Sequence, residues 1–120
     1  MSKNLPDFRA AVAFLSDEQG GRKAQPRQGY RPDIHYADDA DSQAWMVWPL
    51  FLSNDGFELE YDAAVPGLCD ANFYIVDAQL RLQVHASRLK VGVHFDLVEG
   101  ARRVAVCKVT AVLALHENLT

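Results

Sequence analysis

An all-β domain, a single antiparallel β-barrel of about six to seven strands, is the fold this sequence predicts, and three observations predict it. Apolar and polar residues alternate with period two in several short segments. The breakers Pro6, Gly20-Gly21, Pro26, Pro32, Pro49 and Pro66-Gly67 punctuate the chain at strand-and-turn spacing. No window carries a helical period. With so many strands in 120 residues, closing the sheet on itself is the simplest way to hide its edges.

The elements follow in order. Phe8, Ala10, Val12 and Phe14 put apolar side chains on one face of a first strand. The run from Trp45 to Leu52 leads into Asn54-Asp55-Gly56, residues that tolerate positive φ. Phe57, Leu59 and Tyr61 then alternate with Glu58 and Glu60, so the whole reads as a hairpin. From Asp77 to His85 the alternation has no fault: Ala78, Leu80, Leu82 and Val84 are apolar while Asp77, Gln79, Arg81, Gln83 and His85 are polar, which predicts a half-buried strand. Val93, Phe95 and Leu97 give another, and Val104 through Leu115 is β-branched and apolar for long enough to be buried. Glu99-Gly100-Ala101 is the turn between these last two. The second residues of Pro66-Gly67 and Glu99-Gly100 are expected to need positive φ. Residues 1–7 and 117–120 read as tails around one domain spanning 8–116.

A chain of this length buries roughly 65% of the surface its unfolded form exposes, enough to fold without a disulfide or a metal. Cys69 and Cys107 are expected to be free buried thiols. The segment from Met1 to Asp7 lacks the apolar core of a signal peptide, and no run approaches the ~18 apolar residues of a membrane span, so a cytoplasmic protein without membrane contact is expected. The net charge of -4 conceals a pattern. Arg22, Lys23, Arg27 and Arg31 occur without an acid between them. Asp33, Asp38, Asp39, Asp41, Asp55, Glu58, Glu60 and Asp62 then occur without a base. Bases return at Arg81, Arg88, Lys90, Arg102, Arg103 and Lys108. Complementarity across one surface accounts for this arrangement, and so does an acidic patch that attracts a basic partner.

Three stretches carry a family resemblance. Phe14-Leu15-Ser16-Asp17-Glu18-Gln19-Gly20-Gly21-Arg22 precedes Gly29-Tyr30-Arg31-Pro32; Val65-Pro66-Gly67 follows; Gly92 through Val104 contains Val98-Glu99-Gly100-Ala101-Arg102-Arg103. In order and spacing this resembles the C-terminal β-barrel domain of elongation factor Tu, over about residues 8–36 and 65–112. The resemblance implies a barrel that in the family packs on neighbouring domains and helps hold the T-stem of aminoacyl-tRNA, partly through the turn matched by Glu99 and Gly100. There are departures. Asp33 stands where the family has glutamine and His85 where it has lysine, both making the surface less positive; Val98 replaces the hairpin's first arginine, and Ala105 and Cys107 replace glycines. No loop ending in Gly-Lys-Ser/Thr is present, so GTP binding is not expected.

Between Ser42 and Val65 the chain is longer than the family pattern. Here Trp45, Trp48 and Phe51 meet Asp55, Glu58, Glu60 and Asp62. Three aromatics in one strand suit a core; an exposed face of them among acids suits a protein interface. These seven residues are the candidates for protein binding. The candidates for RNA binding, by resemblance, are Glu99, Gly100, Arg22, Lys23 and Arg102. No two of His35, His85, His94 and His116 share a metal-ligand spacing, and Asp38-Asp39-Ala40-Asp41 lacks the glycine and closing glutamate of a calcium loop. No nucleophile elbow is present. The sequence therefore leads to a non-enzymatic module with no cofactor or metal, acting through a protein partner, for instance as a decoy or immunity protein; a second copy of the chain is a further candidate partner. A translation-associated domain contacting tRNA is the alternative, disfavoured by the acidic balance.

Overall fold

The computed structural model describes residues 5–118. Seven strands form one antiparallel sheet: β1 (Phe8–Phe14), β2 (Asp33–His35), β3 (Trp45–Met46), β4 (Trp48–Phe51), β5 (Leu68–Tyr74), β6 (His94–Glu99) and β7 (Arg102–Val112), in the spatial order β3-β2-β6-β7-β1-β5-β4. The sheet curls. Its two end strands, β3 and β4, are consecutive in the chain and separated only by the buried Val47, so chain continuity draws the two ends together. The all-β, barrel-like expectation holds.

Inside the curl, the period-two apolar positions meet as their sequence implies. Phe8 and Phe73 are cross-strand partners, and their rings stack with centroids 4.8 Å apart; Phe95 stands edge-on to both, at 5.8 and 5.5 Å. The β6–β7 hairpin turns through Gly100 and Ala101, with Glu99 opposite Arg102 and Gly100 at φ +58°, a conformation that favours glycine. Gly67, by contrast, stays outside the left-handed region, and a side chain there would meet nothing within 4 Å. In the Gly20-Gly21 loop, Ser16 caps a short 3-10 turn, and a Cβ at Gly21 would lie 2.2 Å from the Leu15 carbonyl oxygen. Gly21 is therefore required by close packing of the backbone, and Gly20 by its φ of +91°.

Three expectations are corrected. The segment from Asp77 to His85 is helical: α1 (Ala78–Leu80) opens with the Asp77 carboxylate accepting the amides of Gln79 and Leu80, and it widens into a π turn over Arg81–His85, with the Ala86 amide donating to the Arg81 carbonyl at 2.8 Å. Leu82, assigned to the buried face, is 74% exposed, whereas Arg81, Val84 and His85 are buried. Phe57, Leu59 and Tyr61 form no strand; their segment bonds to the sheet backbone at a Leu52–Glu58 bridge and through a Leu59 amide donating to Phe51 O at 3.0 Å, and Leu59 packs against the core. The edge at Phe51 is already taken: the Gln28 side chain accepts the Phe51 amide (2.9 Å) and donates to the Phe51 and Leu59 carbonyls (3.1 and 3.0 Å). Asp7, placed in the amino-terminal tail, is fully buried; residues 1–4, 119 and 120 of the expected tails lie outside the described residues.

Candidate functional site

Residues 53–62 form a flap fixed at both ends. At its tip, Gly56 adopts φ +86°, and the Ser53 amide donates to the Phe57 carbonyl at 2.8 Å. At its base, the Asp62 amide donates to Gln28 O at 3.0 Å, and Arg27 donates to Asp62 O at 2.7 Å. Asp62 is the single non-glycine residue with positive φ among the described residues. Gln28, buried within the sheet edge, holds the middle of the flap through Leu59.

This construction leaves the charged and aromatic side chains pointing outward. Asp55, Glu58, Glu60 and Asp62 are all exposed, and among the described residues none makes an ion pair. Phe57 is 74% and Tyr61 84% exposed. Neither ring was a candidate on sequence, where the alternation turned both toward a core. Of the predicted aromatic anchors, Trp48 is at the surface, with the Arg31 guanidinium 4.2 Å from its ring centroid. Trp45 is half-buried and donates its indole N–H to Asp39 at 3.0 Å. Phe51 is completely buried, so it is a core residue and no surface anchor; the sheet register turns it inward beside Ala71. A groove of about 390 Å³ runs beside the flap, lined by Trp48, Tyr61, Glu58, Arg31, Gln28 and Leu50 among others.

The residues proposed for RNA converge only in part. Glu99 accepts from Arg22 Nε at 2.9 Å and from the Tyr30 hydroxyl, and the Arg22 guanidinium lies 4.6 Å from the Tyr30 ring centroid. Burial, then the Glu99 hydrogen bond, holds the Tyr30 hydroxyl far above its usual pKa. Arg22 and Glu99 thus neutralise one another, tying the Gly-Gly loop to the last hairpin. Lys23, Gly100 and Arg102 are exposed.

A buried polar cluster went unread in the sequence. Asp7 and Arg81 form an ion pair at 2.8 Å with side chains 0% and 1% exposed; Asp7 also accepts the Ile75 amide at 2.7 Å and the Asn118 side-chain amide at 2.9 Å. Nearby, the Tyr36 hydroxyl and His85 Nδ1 share a 2.6 Å hydrogen bond. Burial, assisted by the positive charge of Arg88, pushes His85 down to about 4, so its imidazole is neutral at physiological pH. Arg88 itself pairs with Asp39 at 2.7 Å, which together with the Trp45 indole holds the Asp39 carboxyl below the usual range. The thiols of Cys69 and Cys107 are unbonded, and burial pushes both upward, Cys69 to about 11. Among the described residues, no three His, Cys, Asp or Glu side chains converge on a metal-sized site, and no helix is long and apolar enough to cross a membrane. No protein-family model and no curated protein matches this chain.

Proposed function

We propose that this chain is a non-catalytic binding module that engages the basic surface of a protein partner through the flap at residues 53–62. One observation carries the reading: two large aromatic rings, Phe57 and Tyr61, stand in solvent among four carboxylates that make no ion pair among the described residues. Leaving such rings exposed forgoes roughly 1.5–3 kcal/mol of burial for each. A rim of acids around an aromatic centre matches the anatomy of an interface, where the rings anchor and the charges steer association. The resemblance to the C-terminal barrel of elongation factor Tu supplies a setting. A divergent barrel of that kind, carrying a new acidic face, acts as a decoy or immunity protein that intercepts a molecule otherwise engaging the factor.

The tRNA alternative draws on exposed Lys23 and Arg102 near the Glu99–Gly100 turn. It is the weaker reading because Arg22, the base closest to that turn's carboxylate, is neutralised by it. Capture by the immobilised protein, followed by identification of what is retained, separates the two. A basic protein is expected on wild type, weakening as salt passes the range where the Debye length is ~10 Å. It should be lost from the variant carrying Asp55→Lys, Glu58→Lys, Glu60→Lys and Asp62→Lys. Retention of tRNA by wild type, and tighter retention by the lysine variant, sinks the protein reading.

A further inference from the structure

The groove beside the flap contains more than acids. Arg31 makes no ion pair among the described residues, and its guanidinium rests instead on the Trp48 ring, 4.2 Å from the centroid. Tyr61, across the same groove, lies with one side against the backbone of Gly29: a Cβ there would come within 2.7 Å of Tyr61 Cε1. With 84% of the residue exposed, the rest of the ring is open. Glu58 lines the groove as well. The groove therefore holds one aromatic face already carrying a guanidinium, a second aromatic face carrying nothing, and a free carboxylate.

We infer that this groove receives an arginine side chain of the partner, seated on the Tyr61 ring with its charge answered by Glu58. The inference rests on the reading of the flap as the face that meets a basic protein, and it names which basic residue the groove selects. A planar guanidinium stacks on an aromatic face and sheds its hydration more readily than an ammonium, so arginine suits two ring walls better than lysine. Arg31 on Trp48 is the chain's own version of the contact. As a like charge in the same groove it holds affinity down, and its removal frees the Trp48 face for the incoming side chain.

The test uses the full chain and capped pentapeptides of sequence Gly-Arg-Gly-Arg-Gly, with the lysine and glutamate analogues, followed through the two indole N–H resonances; the Trp48 signal is the one lost in Trp48→Phe. The arginine peptide should shift the Trp48 resonance and leave that of Trp45 in place. It should bind more tightly than the lysine peptide and lose roughly two- to fivefold in affinity in Tyr61→Ala, the worth of one exposed cation–π contact. Arg31→Ala should tighten binding of the arginine peptide by a similar factor. Weaker binding in Arg31→Ala, equal binding of the glutamate peptide, or no response at millimolar arginine peptide overturns the inference. The underlying reading is tested apart from it by combining Asp55→Lys and Glu60→Lys, neither of which lines the groove or carries the positive-φ backbone at Asp62. Peptide binding that these abolish while Trp48 never moves overturns the groove alone; binding indifferent to them overturns the acidic face.

Discussion

His85 makes acid the most informative perturbation of this fold. Its ring is fully buried on the π turn; Tyr36 holds Nδ1, the Trp45 ring stands edge-on at 6.3 Å, and Arg81, Arg88, Asp7 and Asp39 supply the neighbouring charge. In the folded protein the imidazole titrates at about 4 against an ordinary 6.5. The unfolded chain therefore binds a proton between these values that the native state refuses. Stability is complete above 6.5 and falls as pH drops toward 4. At 1.36 kcal/mol per pH unit, that span is worth about 3 kcal/mol, a large part of the ~5–15 kcal/mol typical of a domain. Below 4 both states are protonated at His85 and this loss stops, while Asp39, stabilised as a carboxylate, begins to contribute a further one. Urea midpoints read by tryptophan fluorescence from pH 7.5 to 4 should fall steeply for wild type. They should fall much less for His85→Gln, whose amide can share a hydrogen bond with the Tyr36 hydroxyl and carries no charge at any pH. The other histidines are common to both proteins, so the difference between the two slopes isolates His85. Parallel slopes, or an NMR titration of the His85 ring centred near 6.5, would refute the assignment of a buried neutral imidazole.

Two further predictions concern the backbone. Gly100→Val should cost about 1–3 kcal/mol, because a β-branched residue is forced to φ > 0, whereas Gly67→Val should leave the denaturant midpoint almost unchanged; equal losses at both sites contradict the turn geometry described for the β6–β7 hairpin. Gln28→Ala removes the side chain that stands in for a neighbouring strand at Phe51, so it should cost about 1–3 kcal/mol and speed amide exchange at Phe51. An unchanged exchange rate there shows that the flap is held in some other way.

Much of the barrel was legible because its burial follows its apolar residues. Phe8, Ala10 and Val12 face inward with nothing polar among them, so a period of two is also the true geometry of β1; the same holds for Phe95 and Leu97 in β6. The turns at Gly56 and Gly100 were legible because glycine marks the positive φ they need. Residues 77–85 were misread for a definite reason. Their inward set, Arg81, Val84 and His85, has the helical spacing i, i+3, i+4, but two of its three members are polar, so a hydrophobicity pattern hides the period. One signal was present: Asp77 is a strong N-cap residue followed by good helix formers. The ion pair lay beyond local pattern altogether, since Asp7 and Arg81 are 74 residues apart.

The flap fails the same test in the opposite sense, and the contrast bears on function. Where polar residues are buried, at Arg81 and His85, each finds a partner inside the chain, a carboxylate from Asp7 and a hydroxyl from Tyr36, although Arg81 Nη1 and His85 Nε2 have no hydrogen bond among the described residues. Where apolar residues are exposed, at Phe57 and Tyr61, the barrel offers no cover for most of either ring. Sequences that specify one fold tend to break local rules where they are compensated or where function requires it. The helical turn is the compensated case. In the flap, Gln28, Arg27 and the Asp62 backbone hold the main chain that carries the rings without burying them. Fixing an aromatic side chain in solvent brings no stability to the barrel, but it lowers the ordering entropy a partner would otherwise face on binding. That asymmetry is why the flap, and not the buried cluster, carries the proposed contact.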